Sequence, residues 1–470
     1  MDFIGRLPPE ILRAILRATC DSYDDLAFEL SPMNPQAQPH VFRNVSAKWR
    51  TLADSERHLW QRISVAHHIL LPDDGVSAGA ARAVMERWLI SACGTDRMGY
   101  WGQNKQISFG FSTVFGKRLT RAEEIAVGLL LKYSMYWHRV VLRIHPIMLS
   151  VFSPATRRID NLASLHLIFT SLEGREGNEY ERFMTLFKVA PRLKHFHFGG
   201  GLHSCLGKAL LALPWNQITR VEVTERANYD FYYVMKHAVC ATSALVRPVK
   251  VSGDHVLNKP RLELPKLREL NYEAYDDIDS SFLFRWKQAK GGLLGHMVLP
   301  GLDTLVLESV PDDRSCEEAL KMLHRSHSKI TYLVLRCPEC KMPSNWAESS
   351  CSLINAARET LKSLRIERCG AGALTYILDS LATMLDDWDR GVALQELFVD
   401  LGSCLPSADT ELGVMNLMSS VCERNEAVKN SPQVKLAIKC PLGCCLQELR
   451  DEWRSILNGR DPGDQVQLFA

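Results

Sequence analysis

The amino-acid sequence predicts an α/β protein in which a short helical module precedes a long array of strand–loop–helix units. Three observations predict it: closely spaced apolar residues in the first sixty-five positions, a recurring apolar-x-x-apolar-x-apolar template from Trp137 onward, and helical patterns between successive copies. A strand or a helix of such a unit cannot bury its apolar face alone. Stacked units would instead share one continuous core, with parallel strands side by side and helices behind them.

The composition is that of a globular chain, with 470 residues of which 46% are hydrophobic and 23% are charged. The formal net charge is +2, which does not favour nucleic acid or a membrane surface as a partner. No basic stretch followed by an apolar run opens the chain, so we expect no signal peptide. The best apolar run, Ile125–Leu131, is too short to span a membrane. The 14 cysteines are scattered and often flanked by apolar residues, as reduced core thiols are.

The N-terminal module opens with a helix that is expected to begin near Pro8, because the first turn has no use for the N–H that proline lacks. Glu10 then lies near the positive end of the helix dipole. The apolar residues of this helix fall on one face: Ile11, Leu12, Ile15 and Leu16. A second helix is expected to carry Val45, Trp49 and Leu52, and Leu59, Trp60 and Ile63 follow it. A module this small must bury its apolar faces against the rest of the chain or against a partner.

The same residues resemble an F-box of the kind common in large fungal families. The shared pattern is Leu7-Pro8-Pro9-Glu10-Ile11-Leu12, then Val45-Ser46-Ala47-Lys48-Trp49-Arg50, then Leu59-Trp60. The resemblance covers residues 1–65 and implies docking on a Skp-type adaptor of a cullin–RING ubiquitin ligase, in the cytoplasm or the nucleus. The residues that match the motif and would contact the adaptor are Leu7, Pro8, Ile11, Leu12, Ile15, Leu16, Val45, Trp49, Leu52 and Trp60.

One departure from the F-box pattern is the segment from Tyr23 to His40, which holds three prolines and is longer than the usual connection. We expect this insertion, residues 23–40, to loop out. Two other interpretations of the module stay open: a degenerate F-box that no longer recruits a ligase, and an ordinary helical cap on the next domain.

The template that follows occurs in ten copies, from Trp137/Val140/Leu142 to Leu394/Leu397/Val399, with a degraded copy at Val434/Leu436/Ile438. Its mean spacing of nearly thirty residues has room for one strand, one loop and one helix. The array resembles an irregular leucine-rich-repeat-like solenoid of the kind often found C-terminal to an F-box, and we assign it residues 139–458. The alternative is a non-repetitive α/β domain with similar strands.

Residues 76–138 are the transition between module and array. We expect a helix over Val76–Cys93, a strand over residues 107–111, and a capping box at Thr120-Arg121-Ala122-Glu123 that starts a helix to about His138. This atypical first repeat would cover the open apolar end of the array. At the other end, residues 459–470 are polar and are expected to form a frayed tail.

Strand residues between the apolar anchors are expected to point out of the concave face, provided that the register holds. They are His166, His197, Glu222, Thr224, Asn271, Glu273, Val306, Glu308, Val334, Arg336, Arg365, Glu367, Phe398 and Asp400. Five are acidic and two are basic, so we expect a somewhat acidic groove that holds a target protein, with Val306, Val334 and Phe398 as apolar contacts. The alternative at each position is a solvated strand residue.

The sequence shows no catalytic constellation, and neither a Gly-x-x-x-x-Gly-Lys-Ser/Thr nor a Gly-x-Ser-x-Gly motif occurs. Cys337-Pro338-Glu339-Cys340 has the spacing of zinc ligands, with His324 and His327 before it, but Cys337 falls at a core position of a repeat. We expect no metal and no cofactor, and a zinc or thiol site at Cys337 and Cys340 stays the alternative. The expected function is that of a substrate-recognition subunit, which holds a target near the ligase and performs no chemistry itself.

Overall fold

The structure, a computed structural model, describes residues 7–21, 31–32, 34, 36–66, 75–93, 105–113, 119–155, 158–170, 185–200, 212–250, 260–273, 293–308, 315–336, 344–369, 371–387, 393–401, 408–427, 433–439 and 466–469. The chain divides into two compact units, Met1–Glu222 and Val223–Ala470. Both units alternate strands and helices, as a leucine-rich-repeat-like fold does.

The first unit opens with short helices. Its helices are α1 (Pro9–Asp21), α2 (Gln38–Val45), α3 (Ala47–Ser55), α4 (Gly75–Cys93) and α5 (Arg121–Lys132), with a 3-10 turn at Arg57–Trp60. The single helix expected to carry Val45, Trp49 and Leu52 is two helices. Ser46 interrupts it, because this residue is extended and its hydroxyl accepts a hydrogen bond from the Trp49 amide at the start of α3.

The expected insertion, residues 23–40, is described only in part. Helix α2 begins at Gln38, so the last three residues of the insertion are helical. Pro39 lies in the first turn of that helix, where its missing N–H costs nothing. Residues 23–30, 33 and 35 lie outside the described residues.

Six strands of the first unit lie side by side in chain order. They are β1 (Arg62–Ala66), β2 (Ile107–Ser112), β3 (Trp137–Ile144), β4 (Ser164–Phe169), β5 (His195–Gly200) and β6 (Arg220–Ala227), with the division between the units inside β6. Strands β1 to β5 pair in parallel, and Phe109, Val140, Leu165 and Phe196 align across them. All four are fully buried, so the template predicted both the strands and their inward side.

Two boundaries in this unit differ from the sequence prediction. Ile63, assigned to the helical module, lies in β1 and pairs in register with Phe109. Helix α5 ends at Lys132 instead of near His138, because a 3-10 turn at Ser134–Tyr136 leads directly into β3. Both corrections lengthen the sheet at the expense of helix.

The capping box at the start of α5 is confirmed. The Thr120 hydroxyl accepts a hydrogen bond from the Glu123 amide, and the Glu123 carboxylate accepts one from the Thr120 amide at 2.7 Å. The helix before it, expected from Val76, begins one residue earlier at Gly75. The transition region therefore contains the helix, the strand and the second helix that its sequence predicts.

The second unit continues the alternation. The strands of its main sheet are, in order, β7 (Ser243–Lys250), β9 (Glu269–Glu273), β11 (Thr304–Glu308), β12 (Tyr332–Arg336), β13 (Ser363–Glu367), β14 (Glu396–Asp400), β15 (Lys435–Lys439) and β16 (Val466–Phe469), and β8 (Leu262–Glu263) pairs separately with β10 (Met297–Val298). Its helices are α6 (Asn228–His237), α7 (Ser315–Ser326), α8 (Ser344–Ala357), α9 (Ala371–Asp387) and α10 (Ala408–Ala427). Helices α7 to α10 pack each against the next, which gives the strands one shared layer to bury against.

The C-terminal boundary also differs from the sequence prediction. Residues 466–469, assigned to a polar tail, form β16 and pair in parallel with β15, Leu468 lying beside Ile438. Val466 and Leu468 alternate as strand anchors do, but this run of four residues is too short to stand out from its polar surroundings.

Candidate protein-interaction surfaces

The ten residues predicted to contact an adaptor fall into two classes in the structure. Ile11, Ile15 and Val45 are exposed, at 49%, 39% and 55%, and Pro8 is exposed with them. Five others are buried in the unit's own core, and they are Leu12, Leu16, Trp49, Leu52 and Trp60. Leu7 is half-buried. Only the first class can meet a partner without unfolding the helices.

The buried residues hold the helices together. The indole N–H of Trp60 donates to the carbonyl of Ala53 at 2.9 Å, and its ring packs edge-on against Trp88 at 5.1 Å. The ring of Trp49 lies 5.8 Å from that of Phe42 on α2. These contacts join α2, α3 and α4, so the aromatic part of the predicted site is structural.

Helix α1 is fixed by ion pairs as well as by packing. The guanidinium groups of Arg13 and Arg17 lie 2.9 Å and 3.0 Å from the carboxylate of Glu56, which follows α3. The side chain of Lys48 donates to the carbonyl of Leu7 at 3.0 Å. Because Glu56 is largely buried, this clamp sets which face of α1 points outward.

The outward faces of α1 and α2 each present a pair of branched apolar side chains four residues apart. On α1 the pair is Ile11 and Ile15, and on α2 it is Val41 and Val45. Val41 was missed by sequence reasoning because it directly follows the expected insertion. Its i,i+4 spacing to Val45 was the signal that could have found it. We call these four residues the exposed helix faces.

The strands carry the second candidate surface. In both units the anchors are buried on one side of the sheet, and the residues between them make up the other side, which we call the strand face. On the strand face of the first unit the described strand residues include four arginines, Arg62, Arg139, Arg143 and Arg220. Glu222 is the single carboxylate that the described strands β1 to β6 place on this face. The face is therefore basic.

Three histidines lie side by side on that face, and we call them the histidine cluster: His166, His195 and His197. The Nδ1 atoms of His166 and His197 are 3.1 Å apart, and the Ser164 hydroxyl lies 3.1 Å from both His166 Nε2 and His195 Nδ1. Glu222 closes the group, with a carboxylate oxygen 3.2 Å from His195 Nε2. Sequence reasoning picked His166, His197 and Glu222 but missed His195.

Burial and neighbouring charges together set the charge of the cluster. Burial lowers the pKa of His166 to about 2, and the charges of His197, Arg139 and His195 add to that effect against the opposing carboxylate of Glu222. Burial alone would raise the pKa of Glu222, but the hydrogen bond and charge of His195, together with Arg220 and His197, lower this pKa to about 2. At neutral pH the group thus holds a neutral His166 beside an ionised Glu222.

The strand face of the second unit carries a chain of ion pairs, the ion-pair ladder, formed by Arg247, Glu273, Glu308, Arg336, Glu367 and Arg365. Arg336 lies at its centre, 2.8 Å from Glu367 and 3.8 Å from both Glu273 and Glu308. Arg247 pairs with Glu273 at one end, and Arg365 lies 3.0 Å from Glu367 at the other. The pairs run across neighbouring strands and lock the register of the face.

The predicted carboxylates of this face are less exposed than the cations that pair with them. The carboxylates of Glu273, Glu308, Glu367 and Asp400 are only 11–16% exposed, whereas the paired cations are 27–47% exposed. Arg247 and Lys439, absent from the predicted set, supply two of those cations. A ligand on this face would therefore meet the cations of the ladder together with the exposed carboxylates of Glu269 and Glu396.

Burial explains why the predicted apolar contacts are weak candidates. Val306 and Val334 are buried under the ladder, while Asn271, Thr224 and Phe398 are half-buried. The Arg365 guanidinium lies over the Phe398 ring at 4.4 Å and covers part of it.

Within the ladder, burial raises the pKa of Glu308, and the neighbouring charge of Glu273 adds to that rise.

The four residues weighed as possible zinc ligands are described only in part. Cys337 and Cys340 lie outside the described residues, His324 is exposed at the end of α7, and His327 follows with φ of 51°. Within the described ranges, no three His, Cys, Asp or Glu side chains are placed to hold a metal ion.

Burial raises the pKa of the Cys93 thiol to about 12, which leaves it protonated. None of the described helices is long and apolar enough to cross a membrane.

No family model matches this chain, and no curated protein matches it either. Among solved structures, a leucine-rich repeat-containing protein, LegL7 from Legionella pneumophila, is 14% identical, with a TM-score of 0.36 over 76% of this chain and 100% of that one. The leucine-rich-repeat-like fold assigned to this chain follows from its own parallel strands, buried anchors and intervening helices.

Proposed function

We propose that this chain is the target-recognition subunit of a cullin–RING ubiquitin ligase. Helices α1 and α2 would dock on a Skp-type adaptor, and the strand face would hold the target protein. In this role the chain supplies proximity and orientation for ubiquitin transfer, and the chemistry belongs to other subunits.

The observation that carries the proposal is the division of the F-box-like motif into a buried and an exposed set. Leu12 and Leu16 build the core, whereas Ile11 and Ile15 point away from it although they match the same motif. The clamp of Arg13 and Arg17 on Glu56 keeps that orientation. Large aliphatic side chains held outward at helical spacing are what a groove on a partner protein recognises.

The strand face supports the second half of the proposal. Its polar side chains are ordered by pairs across strands, so a target would meet a rigid surface and lose little free energy to ordering of that surface. The basic face of the first unit favours acidic target segments there. The mixed face of the second unit favours a target with both charges.

Titration of a purified Skp-type adaptor into the full chain tests the docking half of the proposal. The intact chain is expected to bind, and Ile11→Asp/Ile15→Asp is expected to raise the Kd by roughly tenfold or more, because two desolvated aliphatic contacts become charged. Calorimetry measures both constants. Circular dichroism of the variant checks that α1 is still folded.

The matched control is Val189→Asp/Leu412→Asp, which places two carboxylates at exposed apolar positions elsewhere in the chain. This control is expected to bind the adaptor as the intact chain does. Equal binding by the α1 variant would show that the adaptor does not use this face. Absence of binding by the intact chain would leave a protein-interaction scaffold whose helices act as a cap.

A further inference from the structure

A cleft of about 590 Å³ lies between α2, α3 and α4 in the first unit. Arg43 and Asn44 of α2, Arg50 of α3 and Arg87 of α4 contribute its polar lining. None of the described residues that line it carries a carboxylate. Its volume lies within the range of small-molecule sites, and three helices each contribute an arginine to its lining.

The floor of the cleft is aromatic and rigid. The His40 ring lies 5.8 Å from Trp60 and 5.3 Å from Trp88, and both indoles are almost fully buried. The Trp60 N–H donates to the carbonyl of Ala53, and the Trp88 N–H donates to the carbonyl of Trp60 at 2.8 Å. With these donors already used, the arginines and Asn44 are left as the polar groups that face a ligand.

The charges of two of the arginines, Arg43 and Arg87, both influence His40. Burial lowers the pKa of His40; a hydrogen bond to the Pro32 backbone opposes this, and the charges of Arg43 and Arg87 add to it. Arg43 and Arg87 come from different helices, and the charges of both act on the His40 ring. His40 is thus held neutral at the floor of a positively charged cleft.

The positive charge of the cleft is only partly balanced. Arg43 lies 2.9 Å from the carboxylate of Asp54, which is not part of the lining. Arg50 Nε donates to the backbone carbonyl of Arg43 at 3.0 Å, and no carboxylate in the described ranges pairs with Arg50 or Arg87. Like charges held near one another in a partly enclosed site repel, and a bound anion removes that cost.

We propose that this cleft binds a small phosphate-bearing polyanion, whether a free polyphosphate or the phosphate chain of a nucleotide. Guanidinium groups match phosphate oxygens in bidentate pairs, and arginines from three helices suit a chain of at least two phosphates. Val84 and the alanines of α4 add an apolar edge against which a carbon-containing part of the ligand can rest. This site is independent of the proposed ligase function.

Calorimetric titration of the full chain with pyrophosphate, ATP and citrate at low ionic strength tests the proposal. Pyrophosphate and ATP are expected to bind, and citrate to bind at least roughly tenfold more weakly, since each carboxylate offers two acceptor oxygens where a terminal phosphate offers three. Arg50→Ala/Arg87→Ala is expected to raise the Kd for pyrophosphate by roughly tenfold or more. The double variant Lys132→Ala/Lys188→Ala removes the same charge at exposed positions of the same unit and is expected to bind as the intact chain does.

The single variant Arg87→Gln keeps Arg50 and therefore tests the cleft even if loss of Arg50 disturbs α3. It is expected to fold normally and to raise the Kd for pyrophosphate by a smaller factor than the double variant does. Much tighter binding of ATP than of pyrophosphate would identify a nucleotide site, and equal binding would identify a polyphosphate site; both support the proposal. Failure of both phosphates to bind, binding of citrate as tight as that of pyrophosphate, or an unchanged Kd in both arginine variants would overturn it.

Discussion

Replacing Leu12 by aspartate is expected to disrupt the packing of α1 against the rest of the first unit. The same change at the neighbouring Ile11 is expected to leave that packing intact. Leu12 is fully buried and Ile11 is half exposed. A carboxylate at position 12 would lose its hydration and the apolar contacts of the leucine, at a cost of about 4 kcal/mol or more in the free energy of unfolding. At position 11 the cost is expected to stay within about 0.5 kcal/mol.

Urea-induced unfolding, followed by tryptophan fluorescence and by protease sensitivity of α1, measures the difference between the two variants. The pair is its own control, because both changes replace an apolar side chain by the same carboxylate one residue apart. Similar losses of stability in both variants would mean that α1 does not pack with Leu12 inward. A combined Ile11→Asp/Leu12→Asp variant cannot test adaptor docking, because it would unfold the surface that it is meant to probe.

Acidification from pH 6.5 to pH 4.5 is expected to destabilise the first unit through His166. Because burial lowers the pKa of His166 to about 2, the unfolded chain binds a proton below pH 6.5 that the folded chain does not. The free energy of unfolding therefore falls with decreasing pH by roughly 1 kcal/mol per pH unit from this residue alone, or roughly 2 kcal/mol between pH 6.5 and pH 4.5. Well above pH 6.5 the residue contributes no pH dependence.

Glu222 acts in a lower pH window. Its pKa is lowered to about 2, so the stability that it contributes is present above pH 4.5 and is lost as the pH falls toward 2. The two residues can thus be distinguished by the pH at which their effects begin. From pH 6.5 down to about pH 5.5 Glu222 stays ionised in both the folded and the unfolded chain, so it adds little to the slope in that range.

The variant His166→Asn is expected to reduce the slope of unfolding free energy against pH between 6.5 and 4.5 by roughly 1 kcal/mol per pH unit. Urea denaturation at several pH values measures that slope. The matched control is His324→Asn, which removes an imidazole from an exposed helix position. A His166→Asn variant with the slope of the intact chain would contradict the buried, neutral state assigned to His166.

The repeat architecture was predictable from the sequence because its signal is local. Anchors such as Leu305 and Leu307 lie two residues apart, and each copy of the template carries the information for its own strand. The failures came where the local signal is short. Ser46 ends one helix and caps the next within a single residue, and β16 has only four residues.

The character of the candidate surfaces was less predictable, because it depends on pairs that the sequence separates. Arg336 and Glu367 are 31 residues apart and meet only because neighbouring strands are in register. Ile11 and Leu12 are adjacent apolar residues of the same motif. The ion pairs of Arg13 and Arg17 with Glu56, which lies far along the chain, fix which of the two faces outward. Local pattern gives the set of residues, and tertiary packing divides it into core and surface.

The most direct test of the central claim is assembly of the ligase itself. The full chain, a Skp-type adaptor from the same organism and the adaptor-binding part of a cullin are mixed and separated by size-exclusion chromatography with light scattering. We expect a complex with one copy of each protein, which Ile11→Asp/Ile15→Asp fails to enter and Val189→Asp/Leu412→Asp enters normally. Elution of the intact chain apart from an adaptor–cullin complex would contradict the claim that its N-terminal helices dock on a ligase.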